Sequence, residues 1–244
     1  MFRVGLLLAA AVLLASCSSP ETATSPSTSS TTSAAGPVPV PAPSPPPAPA
    51  TARYRITFQS TWTPATHPVD YPVSAHFSPL IGGTHNGSAI FWREGALASD
   101  GIKDMAERGL TATLSQEVTA AIAGGTAERV ITGGGLSSLP AAVSIEFEIS
   151  QAYPLVTLVS MIAPSPDWFV GVSGLSLFEQ GTWTDERVVG LIPWDAGTDS
   201  GLTFTSPDLV TTLRQPIAPI VVAPLSPGGQ VTPLGTFTFT RIGS

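Results

Sequence analysis

The sequence predicts an all-β fold: an antiparallel β-sandwich with a short helical insertion. Three observations predict it. Tyr54, Ile56 and Phe58 alternate with Arg55 and Thr57, the two-residue period of a strand with one buried face. The stretch Val143–Ile149 repeats that alternation, with Val143, Ile145, Phe147 and Ile149 on one face and Ser144, Glu146 and Glu148 on the other. Helical signals are confined to residues 99–123, between many short strand candidates punctuated by proline and glycine.

Taken in chain order, the first element is a targeting signal. MFRVGLLLAAAVLLASC places Arg3 before an apolar run from Val4 to Leu14, too short to span a bilayer, and ends in small residues before Cys17. This pattern resembles the bacterial lipobox, in which the cysteine is lipidated and becomes the mature N-terminus. Residues 1–16 are thus read as a lipoprotein signal peptide and Cys17 as the lipidation site. Two or three acyl chains anchor durably, at about 0.8 kcal/mol per buried CH₂. Cys17 is the only cysteine, so its use for lipid leaves none for a disulfide.

Residues 17–52 follow as the lipidated cysteine and a disordered linker. Its first part is Ser/Thr-rich, and PVPVPAPSPPPAPA favours extended polyproline II. At about 3.1 Å per residue such a stalk reaches at most roughly 110 Å. The folded domain is assigned to residues 53–244. Its further strand candidates are Leu155–Ala163, almost continuously apolar as in a strand covered on both faces, and Phe169–Leu177, Val188–Ile192, Ile217–Ala223 and Thr236–Ile242. Within the helical insertion, Ser99 or Asp100 caps a short helix through Ile102, Met105 and Ala106. A second runs over Ser115–Ile122 and stops at Gly124-Gly125.

Composition narrows the function. The chain is 43% apolar and only 11% charged, with net charge −7, one unit more negative once Arg3 is removed, and Lys103 as its only lysine. No basic stripe is available to neutralise phosphates, which argues against a nucleic-acid partner. There is no P-loop, no G-x-G-x-x-G and no G-x-S-x-G elbow, since Gly171-Val-Ser-Gly174 lacks the required spacing. Glu146 and Glu148 read as solvated strand surface, although paired glycosidase carboxylates have no fixed spacing.

The chemistry-bearing stretch is Trp194-Asp-Ala-Gly-Thr-Asp-Ser-Gly201. Asp195 and Asp199 stand four residues apart, in a pattern that is not an EF-hand. Taken alone, both aspartates suit a turn, because they hydrogen-bond their own backbone. Asp167, in Pro164-Ser-Pro-Asp-Trp168, follows the end of the apolar strand. If the two loops meet, three carboxylates repel one another, and a calcium ion with 6–8 oxygen ligands relieves that repulsion. Zinc suits the set poorly, since no cysteine or histidine lies nearby. His67, His76 and His85 are spaced nine apart, each in a turn-like setting. Zinc binding and hydrogen-bonded loop structure are both open to them, and structure is favoured. Trp168 and Trp194 read as packing beside the aspartate loops.

Several stretches recur together in order: Trp62…Thr66-His-Pro-Val-Asp-Tyr-Pro72, His76-Phe-Ser-Pro-Leu-Ile-Gly82, Ala98-Ser99…Ala106-Glu-Arg-Gly109, Pro164-Ser-Pro-Asp-Trp-Phe-Val-Gly171 and Trp194–Gly201. This series resembles the spondin N-terminal domain of the extracellular matrix proteins F-spondin and mindin, also found in bacterial secreted proteins. The resemblance runs from about Arg53 to the C-terminus. It implies a C2-like β-sandwich and a calcium ion held by Asp167, Asp195 and Asp199. The animal relatives also carry thrombospondin type 1 repeats and domain cysteines, which are absent here, so their partners do not carry over.

The leading expectation is an extracytoplasmic, membrane-anchored, calcium-binding adhesion or binding module of the bacterial cell envelope. It is not an enzyme, and its ligand would be an extracellular protein or polysaccharide. The anchor places it on the outer membrane or the outer face of the cell membrane. The competing expectations are an envelope hydrolase with a calcium centre and a purely structural envelope protein.

Overall fold

The computed structural model describes residues 47–244; the signal segment, Cys17 and most of the linker lie outside the described residues. In chain order the elements are β1 (Thr51–Ser60), β2 (His76–Phe77), β3 (Ile81–His85), α1 (Asp100–Arg108), α2 (Ala112–Ala123), β4 (Ala127–Thr132), β5 (Ala142–Ser150), β6 (Leu155–Ala163) and β7 (Trp168–Ser176), followed by β8 (Phe178–Glu179), β9 (Thr182–Trp183), β10 (Glu186–Gly190), β11 (Trp194–Asp195), β12 (Ala218–Pro219) and β13 (Gly235–Gly243).

Two antiparallel sheets form the sandwich. One has the order β10-β13-β1-β5; the other has the order β12-β11-β7-β6-β3-β4, with β2 added on β6. The alternation seen in the sequence places Tyr54, Ile56 and Phe58 of β1 between the sheets, beside Phe237 and Phe239 of β13. They face Val156, Leu158 and Ile162 of β6 and Val170 of β7. Fully burying side chains of this size contributes about 1.5–3 kcal/mol each.

The helices cover the other face of the second sheet. Ile102, Met105, Leu114 and Val118 bury against Ile81, Val159, Met161 and Phe169. Strand β6 is therefore covered on both faces, as its unbroken apolar run requires. Ser99 caps α1 by accepting the Ile102 N–H, and Glu117 of α2 accepts from Ser99 Oγ at 2.8 Å and the Gly101 N–H at 2.7 Å.

Two local readings are corrected, and strand β3, absent from the strand candidates, is added. Strand β3 carries Gly82-Gly83, which weakens any strand signal. A Cβ on Gly82 would stand 1.9 Å from Thr157 O and one on Gly83 2.5 Å from Arg129 O. Close strand approach requires glycine at both positions. Helix α2 starts at Ala112, earlier than Ser115, because Leu114 fills the second core. The Ile217–Ala223 candidate shrinks to β12, since Pro216 and Pro219 cannot donate to a ladder.

The folded contacts also begin upstream of Arg53. Strand β1 starts at Thr51, and Ala48 packs against the core. The Trp183 indole N–H donates to Pro49 O at 2.8 Å, and the Gln151 N–H to Ala50 O at 2.9 Å. An extended proline-rich chain leaves its carbonyls free for such donors.

Strand register fixes the two ends of the domain. Thr51 pairs with Ser150, so the chain enters beside the turn that leads into β6. The far end of β6 runs into residues 164–167, placing Asp167 at the pole opposite that entry. Residues 61–75 and 133–141 lie at this same far pole, because Gln59 pairs with Ala142.

Candidate metal centre

Asp167 occupies the loop between β6 and β7 and is fully buried. The ladder brings Asp195 to it: Asp195 pairs with Trp168 across β11 and β7, and the Ala196 N–H donates to Asp167 O at 3.1 Å. The next residues then wrap the Asp167 carboxylate. Its Oδ2 accepts the Thr198 N–H at 2.7 Å, the Asp199 N–H at 3.0 Å and the Thr198 hydroxyl at 3.2 Å. Its Oδ1 is buried and has no hydrogen-bond partner.

The two aspartates of the turn also behave as turn formers. Asp195 Oδ1 accepts the Gly197 N–H and Asp199 Oδ1 the Gly201 N–H, both at 2.7 Å and two residues on. Gly197 sits at φ +72, and a Cβ there would meet Gln215 O at 2.2 Å. Asp199 Oδ2 accepts the Leu209 N–H at 2.8 Å, and Asp199 pairs with Val210 in an isolated bridge. Trp168 packs edge-on to Phe204 and Trp194 to Trp92, so both tryptophans brace the loops.

The electrostatics link the three positions in series. Burial first, then the Asp195 charge, push the Asp167 carboxyl up to about 6, against the pull of the Thr198 and Asp199 donors. Burial also raises Asp195, and the Asp199 charge adds to that rise. A buried carboxylate oxygen without a donor is costly, and a neighbouring carboxylate increases the cost.

The chemistry of this set fits a hard cation. It offers carboxylate oxygens on loops that also carry backbone carbonyls, with no thiolate or imidazole among them. Among the described residues, no three His, Cys, Asp or Glu side chains form a preassembled metal cluster. A cation would therefore draw these carboxylates toward one point, and Asp199 has to share oxygens already engaged by backbone N–H groups.

The structure does not gather the histidines. His85 lies in β3, not a turn, with Nδ1 at 2.9 Å from Asn86 O and Nε2 at 2.8 Å from Thr157 Oγ1. His67 is buried between Thr66 Oγ1 and Thr232 O, and His76 Nδ1 meets Ser74 O at 2.7 Å. Glu146 and Glu148 lie on exposed strand surface, paired with Arg53, Arg55 and Arg129.

The sequence reading missed Thr198, which supplies two of the three donors to Asp167, and Leu209, whose amide holds Asp199. A threonine next to an aspartate carries no signal by itself; only the meeting of the two loops gives it a role.

The fold and its far pole define a β-sandwich domain with an acidic loop centre. Residues 52–227 match the family described as Spondin_N, and the chain belongs to that family. It is 35% identical to Spondin-2 of Rattus norvegicus over 209 residues, covering 78% of this chain and 62% of that protein. It is 36% identical to Spondin-2 of Homo sapiens over 195 residues, with 57% of that protein covered, and 36% identical to Spondin-1 of Homo sapiens over 209 residues, with 25% covered. The chain thus spans less than two thirds of the length of these relatives. All three aspartates fall inside the family match.

Proposed function

We propose that this chain is an extracytoplasmic, non-enzymatic binding or adhesion domain whose far pole takes one calcium ion through Asp167, Asp195 and Asp199. The observation that carries this reading is the buried, unpartnered Asp167 Oδ1, pressed by the Asp195 charge. A calcium ion supplies the positive charge that this oxygen lacks, and accepts carboxylate and carbonyl oxygens at about 2.3–2.6 Å. Thr198 and the backbone of residues 197–201 hold the carboxylates from behind.

Membrane attachment through lipid on Cys17 belongs to the same reading, supported by the apolar run and small residues before that cysteine. It places the domain in the bacterial cell envelope, outside the cytoplasm. Among the described residues, no helix is long and apolar enough to cross a membrane. Family membership supports a binding role, with an extracellular protein or polysaccharide as ligand.

Thermal melting in calcium and in EDTA tests the metal reading. Calcium at 100 times Kd stabilises a single-site protein by about 2.7 kcal/mol. The melting temperature of the native chain should rise by several degrees, and that of Asp195→Asn should not move. Equal responses from both proteins would overturn the assignment. Acyl-chain labelling of the native chain and of Cys17→Ser tests the anchor, with incorporation expected only in the former.

A further inference from the structure

We propose that the end of the domain where the chain enters is a recognition site for an extended, proline-alternating segment, occupied in cis by the chain's own Pro47-Ala48-Pro49. The carbonyls of Ala48, Pro49 and Ala50 are all engaged there. Gln151 Nε2 donates to Ala48 O at 3.1 Å and to Pro49 O at 3.0 Å. The Trp183 indole N–H donates to Pro49 O at 2.8 Å, and the Gln151 backbone N–H to Ala50 O at 2.9 Å. Ala48 packs against the core between two exposed prolines.

These donors select the class of ligand. All four bonds run from the domain to the segment. Pro47 and Pro49 have no N–H to satisfy in return. An ordinary strand brings N–H groups of its own and needs acceptors opposite them, whereas a proline-alternating chain offers chiefly carbonyls. The shape of the segment is also set in advance. The rings of Pro47 and Pro49 fix φ, and Ala48, standing before a proline, is confined to extended backbone. Little freedom is lost on docking, the same advantage by which aromatic-lined grooves capture proline-rich chains.

The receiving side is a separate piece of structure. Strands β8 and β9 form a two-stranded hairpin that joins neither sheet of the sandwich. Its loop residues Gln180 and Gly181 have φ +52 and +79, as a tight hairpin turn requires. The hairpin sets Phe178 edge-on to Trp183 at 4.9 Å, and Tyr54 lies 6.3 Å from the same indole. The indole is buried and its N–H is matched by Pro49 O. Gln151, in the turn between β5 and β6, supplies the other donors from its backbone and side chain. Proline stands at every odd position from 37 to 49, and Pro41-Ala42-Pro43 repeats the seated triplet. The seated copy wins because Thr51 enters β1 directly after it, which keeps it at high effective concentration.

The test uses the full chain with Cys17→Ser, and the same chain with Pro47→Gly, Ala48→Asp and Pro49→Gly to unseat the resident segment. The probe is a synthetic peptide of residues 37–50, PVPVPAPSPPPAPA. The readout is the Trp183 indole N–H resonance, assigned by its loss in Trp183→Phe. In the chain with its own segment intact, the peptide should leave this resonance unmoved. In the unseated variant the resonance should shift, and the peptide should return it saturably to the original position. Gln151→Ala on that background should weaken the peptide by at least about tenfold. A peptide with glycine at every proline position should not bind.

Failure of the peptide to restore the resonance would overturn recognition, and equal binding by the glycine peptide would overturn selection for proline. If the unseated variant folds poorly, thiol labelling of Ala48→Cys in the Cys17→Ser chain supplies the second measurement. The thiol should be protected, and Gln151→Ala should speed its labelling by at least about tenfold with the melting temperature little changed. A thiol labelled equally fast with and without Gln151 would contradict the proposal. Sedimentation of the intact chain as a pair that the peptide dissociates would overturn the cis assignment and make a second copy the occupant.

Discussion

His85 and Asp167 are both buried polar side chains at strand ends of the same sheet, yet the fold treats them differently. Both ring nitrogens of His85 meet partners, Asn86 O and Thr157 Oγ1, and the ring packs edge-on to Phe91. Asp167 has three donors crowded on one oxygen and none on the other. A buried polar group with every valence met is explained by the fold that surrounds it. A buried carboxylate oxygen with no donor calls for something further, and a neighbouring carboxylate makes the need greater.

That contrast can be broken at either end. The largest expected effect is on Asp195→Asn, which removes the charge in the middle of the series. Calcium affinity should fall at least about 100-fold, equivalent to about 2.7 kcal/mol, while the melting temperature in EDTA does not drop. Calorimetry and melting curves read both. A large loss of apo stability would mean that the carboxylate serves the turn instead of a ligand.

Acidity gives the next effect. The Asp167 carboxyl titrates near 6 in the folded protein, against 3.8 for the free group. The folded state therefore holds an extra proton between those values, and metal-free stability falls as pH rises through that window and levels off above it. The contribution is roughly 2–3 kcal/mol. His67 and His85, lowered by burial, act with the opposite sign, because the unfolded chain binds their protons first on acidification. The readout is accordingly the difference between the native chain and Asp167→Asn in EDTA. The native chain should gain stability relative to the variant from pH 7 to pH 4. Parallel curves would sink the account of Asp167.

His85→Ala should cost about 2 kcal/mol through lost buried hydrogen bonds and packing. It should leave calcium affinity unchanged, which makes it the structural control for the aspartate variants. Glu148→Gln is the smallest change. Its ion pair with Arg129 is exposed on both sides, so denaturant melts should shift by less than about 0.5 kcal/mol.

The sequence made the long strands readable because their chemistry is local. Alternation marks β1 and β5, and an unbroken apolar run marks β6 as covered on both faces. Strand β3 escaped because its pairing depends on Gly82 and Gly83 lying against backbone from two neighbours, a tertiary requirement with no local pattern. The aspartates were legible as residue types at a spacing. Their two roles were not: the Asx turns of Asp195 and Asp199 are local, whereas the Asp167 cradle depends on Thr198, distant in sequence. Residues 200–213 gave no strand or helix period, and only the exposure of Leu202, Leu209, Val210 and Leu213 sets them apart.

The central claim is that an unpartnered carboxylate oxygen marks a cation site. Its most direct test is calorimetric titration of calcium into EDTA-stripped Cys17→Ser chain, beside Asp167→Asn. One ion per native chain, with no measurable binding to the variant, is the predicted result. No binding to either protein, or the same affinity in both, would contradict it and leave the three aspartates as turn residues.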